Sequence, residues 1–184
     1  MVLVDGKILI ADIGGGLSKE VFVKTLCVDK YETNQREYET VMGDNPSHFG
    51  GIKSRPVENV SWFQAKEYCQ KLGKRLPTEW EWENAAGSKV GSNYYWGNEF
   101  DSDFAWFNGN SSSRTNPVGQ KKPNTSGLYD MTGNVWEWTD SGEGNIKYLR
   151  GGSWNTNTGG MQISDRRRSD PSFTSSTYGF RCVQ

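Results

Sequence analysis

The sequence has 184 residues, one histidine, and 21 Lys and Arg against 22 Asp and Glu. This length fits a single domain over residues 1–184 with a core of its own, since domains commonly run to roughly 100–200 residues. A net charge of -1 provides no field that would attract nucleic acid or anionic lipid. The basic run Arg166–Arg168 lies in a strand-like stretch, where neighbouring side chains face opposite ways. We therefore expect no nucleic-acid partner.

The cysteines, the apolar runs and the N-terminal residues indicate where in the cell the protein could reside. Cys27, Cys69 and Cys182 are odd in number and widely spaced, which argues against a disulfide framework or a zinc site, so we expect three small buried hydrophobes. No apolar run reaches the roughly 20 residues that a membrane helix needs, and the N-terminus lacks the pattern of a signal peptide. The chain is cytoplasmic, or lies at the cell surface with an export signal removed; the residues leave both open.

The first half of the chain alternates apolar runs with turn and cap signals. Strands are predicted at Val2–Val4, Lys7–Ile10 and Val21–Val28, with a turn at Gly14-Gly15-Gly16. Three helices follow, each with a capping residue, a capping-box partner three residues later and a glycine after it. They are predicted over Asn34–Met42, Trp62–Leu72 and Glu79–Ala86, with caps Asn34, Ser61 and Thr78.

From Tyr94 onward, glycine, asparagine, serine and aromatic residues dominate and helical periodicity disappears. We expect a loop at Asp101–Asn124, followed by short strands at Val135–Thr139, Tyr148–Trp154, Ile163–Arg167 and Tyr178–Val183. The chain has eight tryptophans. Most should anchor the core, because an indole buries a large apolar area and still donates a hydrogen bond. A sugar-stacking platform is the alternative.

Four sequence blocks carry a family resemblance. They are Arg75–Glu83, Gly127–Trp138, Arg150-Gly151-Gly152-Ser153-Trp154 and Gly179–Cys182, with Pro56–Trp62 upstream. In this order they resemble the formylglycine-generating-enzyme family over nearly the whole chain, from Asp29 to Val183. The resemblance implies an α+β, C-type-lectin-like fold with much irregular structure.

The resemblance also implies a structural calcium site in the second block. The family uses one side-chain oxygen, two backbone carbonyls and one glutamate, which fall on Asp130, Gly133, Val135 and Glu137. Hard oxygen ligands of this kind suit Ca²⁺. The alternative is that Glu137 is a salt-bridged strand residue. The family's second calcium site would fall in 108–116, which has no acidic residue, so we do not expect it.

The enzymes of the family oxidise a substrate cysteine with two cysteines that hold copper shortly after the Gly-Gly-Ser block. This chain has Thr156 and Met161 at the matching positions, and neither replaces the thiolates that Cu(I) requires. Ser153 is retained, but no base lies near it in sequence. We therefore expect no catalytic residue and no copper. An oxidase of this type with displaced metal ligands stays open as an alternative.

The segment 155–178 indicates a different function. No lysine or glutamate occurs after Lys147. Apart from Met161 and Gln162, the segment uses only residues that an asparagine codon reaches when its adenines change. This restricted alphabet resembles the variable region of a variable protein of a diversity-generating retroelement, a class that often uses this fold. A plain polar, loop-rich terminus of an accessory paralogue is the alternative.

The resemblance assigns the ligand-binding, diversified positions and the fixed positions between them, which include Ile163, Ser164, Arg166 and Pro171. Loops on a rigid scaffold tolerate such variation because they contribute little to the core, and arginine and aromatic residues make good contact anchors. We therefore expect a non-catalytic protein that binds a protein or other surface ligand. The diversified positions are Asn155, Thr156, Asn157, Gly159, Gly160, Asp165, Arg167, Arg168, Ser169, Asp170, Phe173, Ser175, Ser176 and Thr177.

Overall fold

The computed structural model describes residues 1–14, 17–87 and 92–184, and the predicted Gly14-Gly15-Gly16 turn lies mostly outside them. Over these residues short strands and helices alternate with long irregular segments, which confirms the mixed α and β class. The elements are β1 Val2–Val4, β2 Lys7–Gly14, β3 Leu17–Val23, β4 Leu26–Val28, α1 Gln35–Met42, α2 Trp62–Lys71, α3 Glu79–Ala86, β5 Trp136–Glu143, β6 Ile146–Arg150, β7 Arg166–Ser169 and β8 Tyr178–Gly179.

All three predicted helices are present with their capping boxes. The side chains of Asn34, Ser61 and Thr78 each accept a hydrogen bond from the backbone N–H three residues later, and the residue at that position bonds back. Each such cap stabilises a helix start by about 1 kcal/mol. Helices α1 and α3 end on left-handed glycines, Gly43 and Gly87. Helix α2 ends one residue earlier than predicted.

The N-terminal strands form two separate antiparallel pairs, β1 with β4 and β2 with β3. The predicted single strand Val21–Val28 is therefore two strands, broken at Lys24 and Thr25. Gly6 explains the break, because its N–H donates to Thr25 Oγ1 at 2.9 Å. A Cβ on Gly6 would lie 2.4 Å from the carbonyl oxygen of Val23, so the chain bends tightly around this glycine.

The main sheet has four strands in the order β7-β6-β5-β8. Its pairs are antiparallel except for β5 with β8, which run parallel. Strand β6 ends at Arg150, before the predicted limit, because Gly151 and Gly152 take left-handed conformations with φ of 96° and 81°. The strand predicted at Ile163–Arg167 lies further along as β7, and the one predicted from Tyr178 is only two residues long.

Buried tryptophans hold the core together, as expected. Trp62, Trp82, Trp136 and Trp138 are buried. Trp62 donates to the carbonyl of Thr139 at 2.9 Å, and Trp138 donates to the carbonyl of Val60 at 3.0 Å. These bonds connect the start of α2 to the main sheet, so the indoles both fill the interior and fix the position of the helix.

The prediction of unpaired cysteines is wrong. Cys69 in α2 and Cys182 near the C-terminus form a disulfide, and only Cys27 is free. The two positions are 113 residues apart in sequence, so their spacing gave no sign of the bond. The bridge fastens α2 to the C-terminal segment, where Arg75 and Val183 also pair. Among the described residues, no helix is long and apolar enough to cross a membrane.

Candidate ligand-binding surface

The chain leaves the main sheet through two glycines that no larger residue could replace easily. A Cβ on Gly152 would lie 3.0 Å from the side chain of Met161, and a Cβ on Gly151 would lie 3.0 Å from Trp82. Ser153, directly after them, is buried. Its N–H donates to Thr156 Oγ1 at 3.0 Å, and its hydroxyl donates to Asn155 Oδ1 at 2.9 Å. The turn into the 155–178 segment is therefore closed by its own hydrogen bonds.

Two buried side chains fasten the 155–178 segment to the interior. Met161 is 0% exposed and belongs to a cluster with Tyr94 and Ala105, and Ile163 is 2% exposed in the larger core. Both lie between the predicted diversified positions. Met161 and Ile163 therefore hold the segment from below while their neighbours face outward.

The predicted diversified positions lie almost entirely on the surface. Every one is exposed or half-buried except Thr177, which is 6% exposed. The hydroxyl of Thr177 bonds to that of Ser175, and its carbonyl accepts from the N–H of Trp136. Phe173, by contrast, is 55% exposed. Thr177 thus belongs to the sheet, and the remaining positions form an outward surface.

Loops outside the segment support this surface from the side. The hydroxyl of Tyr94 donates to the carbonyl of Thr158 at 2.8 Å. The backbone N–H of Asn108 donates to the carbonyl of Thr156, and Ile163 donates to the carbonyl of Asn93. These bonds are made to backbone atoms of the segment, so they do not depend on which side chains it carries.

The three arginines of β7 point to alternating faces, as predicted. Arg166 is half-buried; its Nε donates to Glu79 at 2.6 Å and its guanidinium lies over the rings of Trp80 and Tyr148. Arg167 turns to the other face, where its Nε donates to the hydroxyl of Tyr178 at 2.7 Å. Arg168 lies over Tyr148, 3.8 Å from Glu143. The three charges do not form one basic patch.

A pocket of about 410 Å³ opens between β7 and the turn that follows Ser153. Trp136 and Arg166 line it together with six predicted diversified residues. Those six residues are Asn155, Thr156, Asn157, Gly160, Asp165 and Arg167. The pocket is thus a recess in the same surface, with residues of the main sheet behind it.

The candidate metal ligands lie in a buried network of charged groups. Both carboxylate oxygens of Glu137 accept hydrogen bonds from Arg181, at 2.7 to 3.0 Å, and one also accepts from Trp82 at 2.8 Å. Asp130 accepts from the N–H of Gly119 at 2.7 Å, and its other oxygen is buried without a partner among the described residues. Burial raises the pKa of Asp130 to about 6.

One member of this network, Glu32, is not part of any local sequence pattern. Glu32 is fully buried and accepts from the side chain of Asn134 at 2.6 Å and from the N–H of Val135 at 3.1 Å. Burial holds the pKa of Glu32 well above its usual range, and the nearby charge of Asp130 adds to the effect. Its partners lie about a hundred residues away in sequence, so no local pattern could reveal it.

One of the predicted calcium ligands is already paired with a positive charge of the protein. Arg181 donates hydrogen bonds to both carboxylate oxygens of Glu137. Among the described residues, no three His, Cys, Asp or Glu side chains form a group that could hold a metal ion, but the predicted ligand set contains only two side chains of these types. Glu137 is therefore a salt-bridged strand residue in this structure, and calcium binding stays an untested prediction.

No thiol accompanies Ser153. Thr156 is bonded to Ser153, and Met161 is enclosed in the core. Two cysteines are joined in the disulfide, and Cys27 lies in β4 beside the C-terminal residue Gln184. The side chains that bond to Ser153 are the amide of Asn155 and the hydroxyl of Thr156, and neither is a strong nucleophile or a soft metal ligand.

Comparisons with known proteins agree with the fold and the sequence blocks. A family model described as the sulfatase-modifying factor enzyme 1-like domain matches residues 16–184. The inactive C-alpha-formylglycine-generating enzyme 2 of Bos taurus is 39% identical over 162 residues, which are 72% of this chain and 52% of that protein. Serine/threonine-protein kinase Pkn1 of Chlamydia trachomatis is 37% identical over 155 residues, 73% of this chain and 25% of the kinase. The chain thus spans between a quarter and about half of these two relatives.

Among solved structures, Treponema denticola variable protein 1 superimposes with a TM-score of 0.89 at 26% identity. The match covers 100% of this chain and 94% of that one. Capped helices, a short-stranded sheet and long hydrogen-bonded loops thus define a protein with the C-type-lectin-like fold. The chain belongs to the formylglycine-generating-enzyme family.

Proposed function

We propose that this protein is a non-catalytic ligand-binding protein whose 155–178 segment is a diversified binding surface. The observation that carries the proposal is the alternation of burial along the segment. Met161 and the fixed position Ile163, which lie between the predicted diversified positions, are in the core. The predicted diversified positions are exposed or half-buried except Thr177, and the fixed position Ser164 is also exposed. Substitutions at such surface positions change stability little, so the segment can accept many sequences on one backbone.

The likeness to Treponema denticola variable protein 1 supports the same proposal, because it extends over the whole chain. The codon-restricted alphabet of the segment supports it independently, since that argument uses residue identity and not shape. We propose a protein or another surface ligand as the partner. The Cys69–Cys182 disulfide supports an oxidising compartment, where such bonds persist, and we therefore propose display outside the cytoplasm.

The experiment that tests the proposal is to sequence the encoding gene and its flanks in several isolates. We expect the codons of the predicted diversified positions to differ between isolates at adenine-templated bases, and a near-copy rich in asparagine codons to lie nearby. The codons of Met161 and Ile163 serve as the internal control and should not vary. An invariant segment with no near-copy would refute diversification and favour an accessory paralogue.

The inactive or accessory paralogue is the second candidate, and the 39% identity to the inactive enzyme of Bos taurus favours it. The copper-dependent oxidase is the third. It requires thiolates, and we propose that Thr156 and Met161 occupy the positions of the enzyme's two cysteines. An assay of cysteine-peptide oxidation with added copper separates the oxidase from the other two. We expect no aldehyde product; formation of one would overturn the non-catalytic assignment.

A further inference from the structure

The pocket beside β7 offers hydrogen-bond donors more than acceptors. The side-chain oxygen of Asn155 accepts from Ser153 at 2.9 Å, and that of Asn157 accepts from the N–H of Gly160 at 3.1 Å. Both oxygens are therefore engaged within the turn, while the amide groups remain to donate. The two asparagines thus present N–H groups to the pocket, and these donors favour a negatively charged ligand.

Arg167 adds a guanidinium to the same pocket. Its Nε is held by the hydroxyl of Tyr178, and the guanidinium lies over the ring of that tyrosine. Among the ion pairs of the described residues, none includes Arg167. Its terminal nitrogens are thus available to a ligand in an orientation fixed by Tyr178. A planar guanidinium held in this way matches a carboxylate, which it can bind through two parallel hydrogen bonds.

Two further residues of the pocket lining, Trp136 and Asp165, affect which ligands it can bind. Trp136 lines the pocket, and its buried indole N–H has no hydrogen-bond partner among the described residues. A buried donor without an acceptor is unfavourable, so a ligand oxygen that accepted from this N–H would remove the penalty. Asp165 is the one carboxylate of the lining, and it accepts from the N–H of Gln162 at 2.7 Å. Its charge opposes an anionic ligand, which gives the binding experiment a substitution expected to improve affinity.

The surroundings favour a polypeptide as the source of the carboxylate. Strand β7 is the edge of the main sheet, and an edge strand directs alternate N–H and C=O groups outward, where an extended peptide can pair with them. Beyond Arg167, the exposed ring of Phe173 lies 5.9 Å from that of Tyr178. The pocket is therefore flanked by a strand edge and by an apolar contact, both of which suit a protein partner.

We propose that this pocket binds the carboxylate side chain of an acidic polypeptide segment that pairs in extended form with the edge of β7. The inference rests on the proposed function and names the class of partner that this particular set of surface residues selects. Arg167 binds the carboxylate, the amides of Asn155 and Asn157 donate to it, and Phe173 contacts the apolar part of the partner.

The test uses the whole chain and a fluorescein-labelled peptide of alternating glutamate and threonine, with binding followed by fluorescence polarisation at low salt. A peptide with glutamine in place of glutamate is the matched probe. We expect Arg167→Gln to weaken binding of the glutamate peptide at least about tenfold, as for a hydrogen-bonded charge pair. Arg36→Gln, the control at an exposed arginine of α1 that lies outside both the 155–178 segment and the pocket, should change it less than about twofold. Asp165→Asn should strengthen it.

Three results would overturn the proposal: equal losses for the two arginine variants, equal binding of the glutamine peptide, or no binding of the glutamate peptide to the wild type. Displacement of the peptide by polygalacturonate with a stronger dependence on Arg167 would show an acidic polysaccharide site instead. The melting temperature of each variant checks its fold, and Arg167→Lys, which keeps the charge but loses the planar fork, should fall between wild type and Arg167→Gln.

The outcome is separable from that of the gene-sequencing experiment. If the segment varies between isolates but the glutamate peptide does not bind, the ligand class fails and the diversified surface stands. If the peptide binds through Arg167 but the segment is invariant, the pocket is a fixed acidic-peptide site and diversification fails.

Discussion

Arg181 and Glu137 form an ion pair deep in the protein, with 2.7 Å between the guanidinium and the carboxylate and 1% exposure of each side chain. Arg181 also donates to the backbone carbonyls of Asp29 and Tyr129. The pair therefore connects β5, the Gly-Phe-Arg-Cys block and two loops. Several segments that are distant in sequence are thus joined through one guanidinium.

We expect Arg181→Met to reduce the free energy of unfolding by about 3–5 kcal/mol, because it leaves the charge of Glu137 buried and unpaired. Urea denaturation followed by tryptophan fluorescence measures the change. Arg75→Met is the matched control, because it also breaks an ion pair with a glutamate, Glu81, but the Arg75 side chain is 50% exposed to solvent. This variant should lose less than about 1 kcal/mol of stability. Similar losses in the two variants would contradict the importance assigned to the buried pair.

The Cys69–Cys182 disulfide closes a loop of more than a hundred residues. In the chain-entropy account, a loop of this size makes the bond worth about 5 kcal/mol, at the upper end of the usual range of about 2–5 kcal/mol. We expect Cys69→Ala to lower the melting temperature markedly and Cys27→Ala to leave it nearly unchanged. Peptide mapping without reduction should recover the two cysteines in one linked fragment; separate fragments from protein purified under oxidising conditions would refute the bond.

The buried carboxyl of Glu58 predicts a pH dependence of stability. Burial raises its pKa above the ordinary 4.5, although the N–H of Phe49 and nearby His48 act in the other direction. One of its oxygens accepts from Phe49 at 2.7 Å, and the other is buried without a partner among the described residues. The folded state therefore binds a proton more readily than the unfolded state does.

Because the folded pKa is raised, this contribution to stability is complete below pH 4.5 and is lost as the pH rises through the folded value. Relative to Glu58→Gln, which has no charge to bury, the wild type should gain stability as the pH falls from 7 toward 4.5. Urea denaturation of both proteins across this range measures the difference. A gap that is constant with pH would show that Glu58 titrates normally in the folded protein.

Calcium binding can be tested without any assay of function. Since Arg181 already neutralises Glu137, we expect the melting temperature to be the same in a chelator and in millimolar Ca²⁺. Mg²⁺ at the same concentration controls for ionic strength. A rise in melting temperature specific to Ca²⁺ and abolished by Asp130→Asn would instead support the ligand set that the family resemblance implied.

The sequence predicts well what local chemistry decides. Asn34, Ser61 and Thr78 cap their helices by bonding to residues three positions away. The residues that predict each cap are therefore the same neighbouring residues that form it. The strand containing Arg166 is less predictable, because its limits depend on pairing with β6 and not on its own residues. Cys69 with Cys182 and Glu32 with Asn134 escape local patterns altogether, since only the folded chain brings these partners together.

The burial of Met161 and Ile163 limits how the 155–178 segment can evolve. The core side chains of Met161 and Ile163 limit the length of the loop. Substitutions between Trp154 and Met161 keep the backbone length unchanged, whereas an insertion there would pull Met161 out of its cluster. Evolution of this surface should therefore proceed by substitution at constant length. A binding library built on the protein would do best to randomise side chains and keep the residue count between these anchors unchanged.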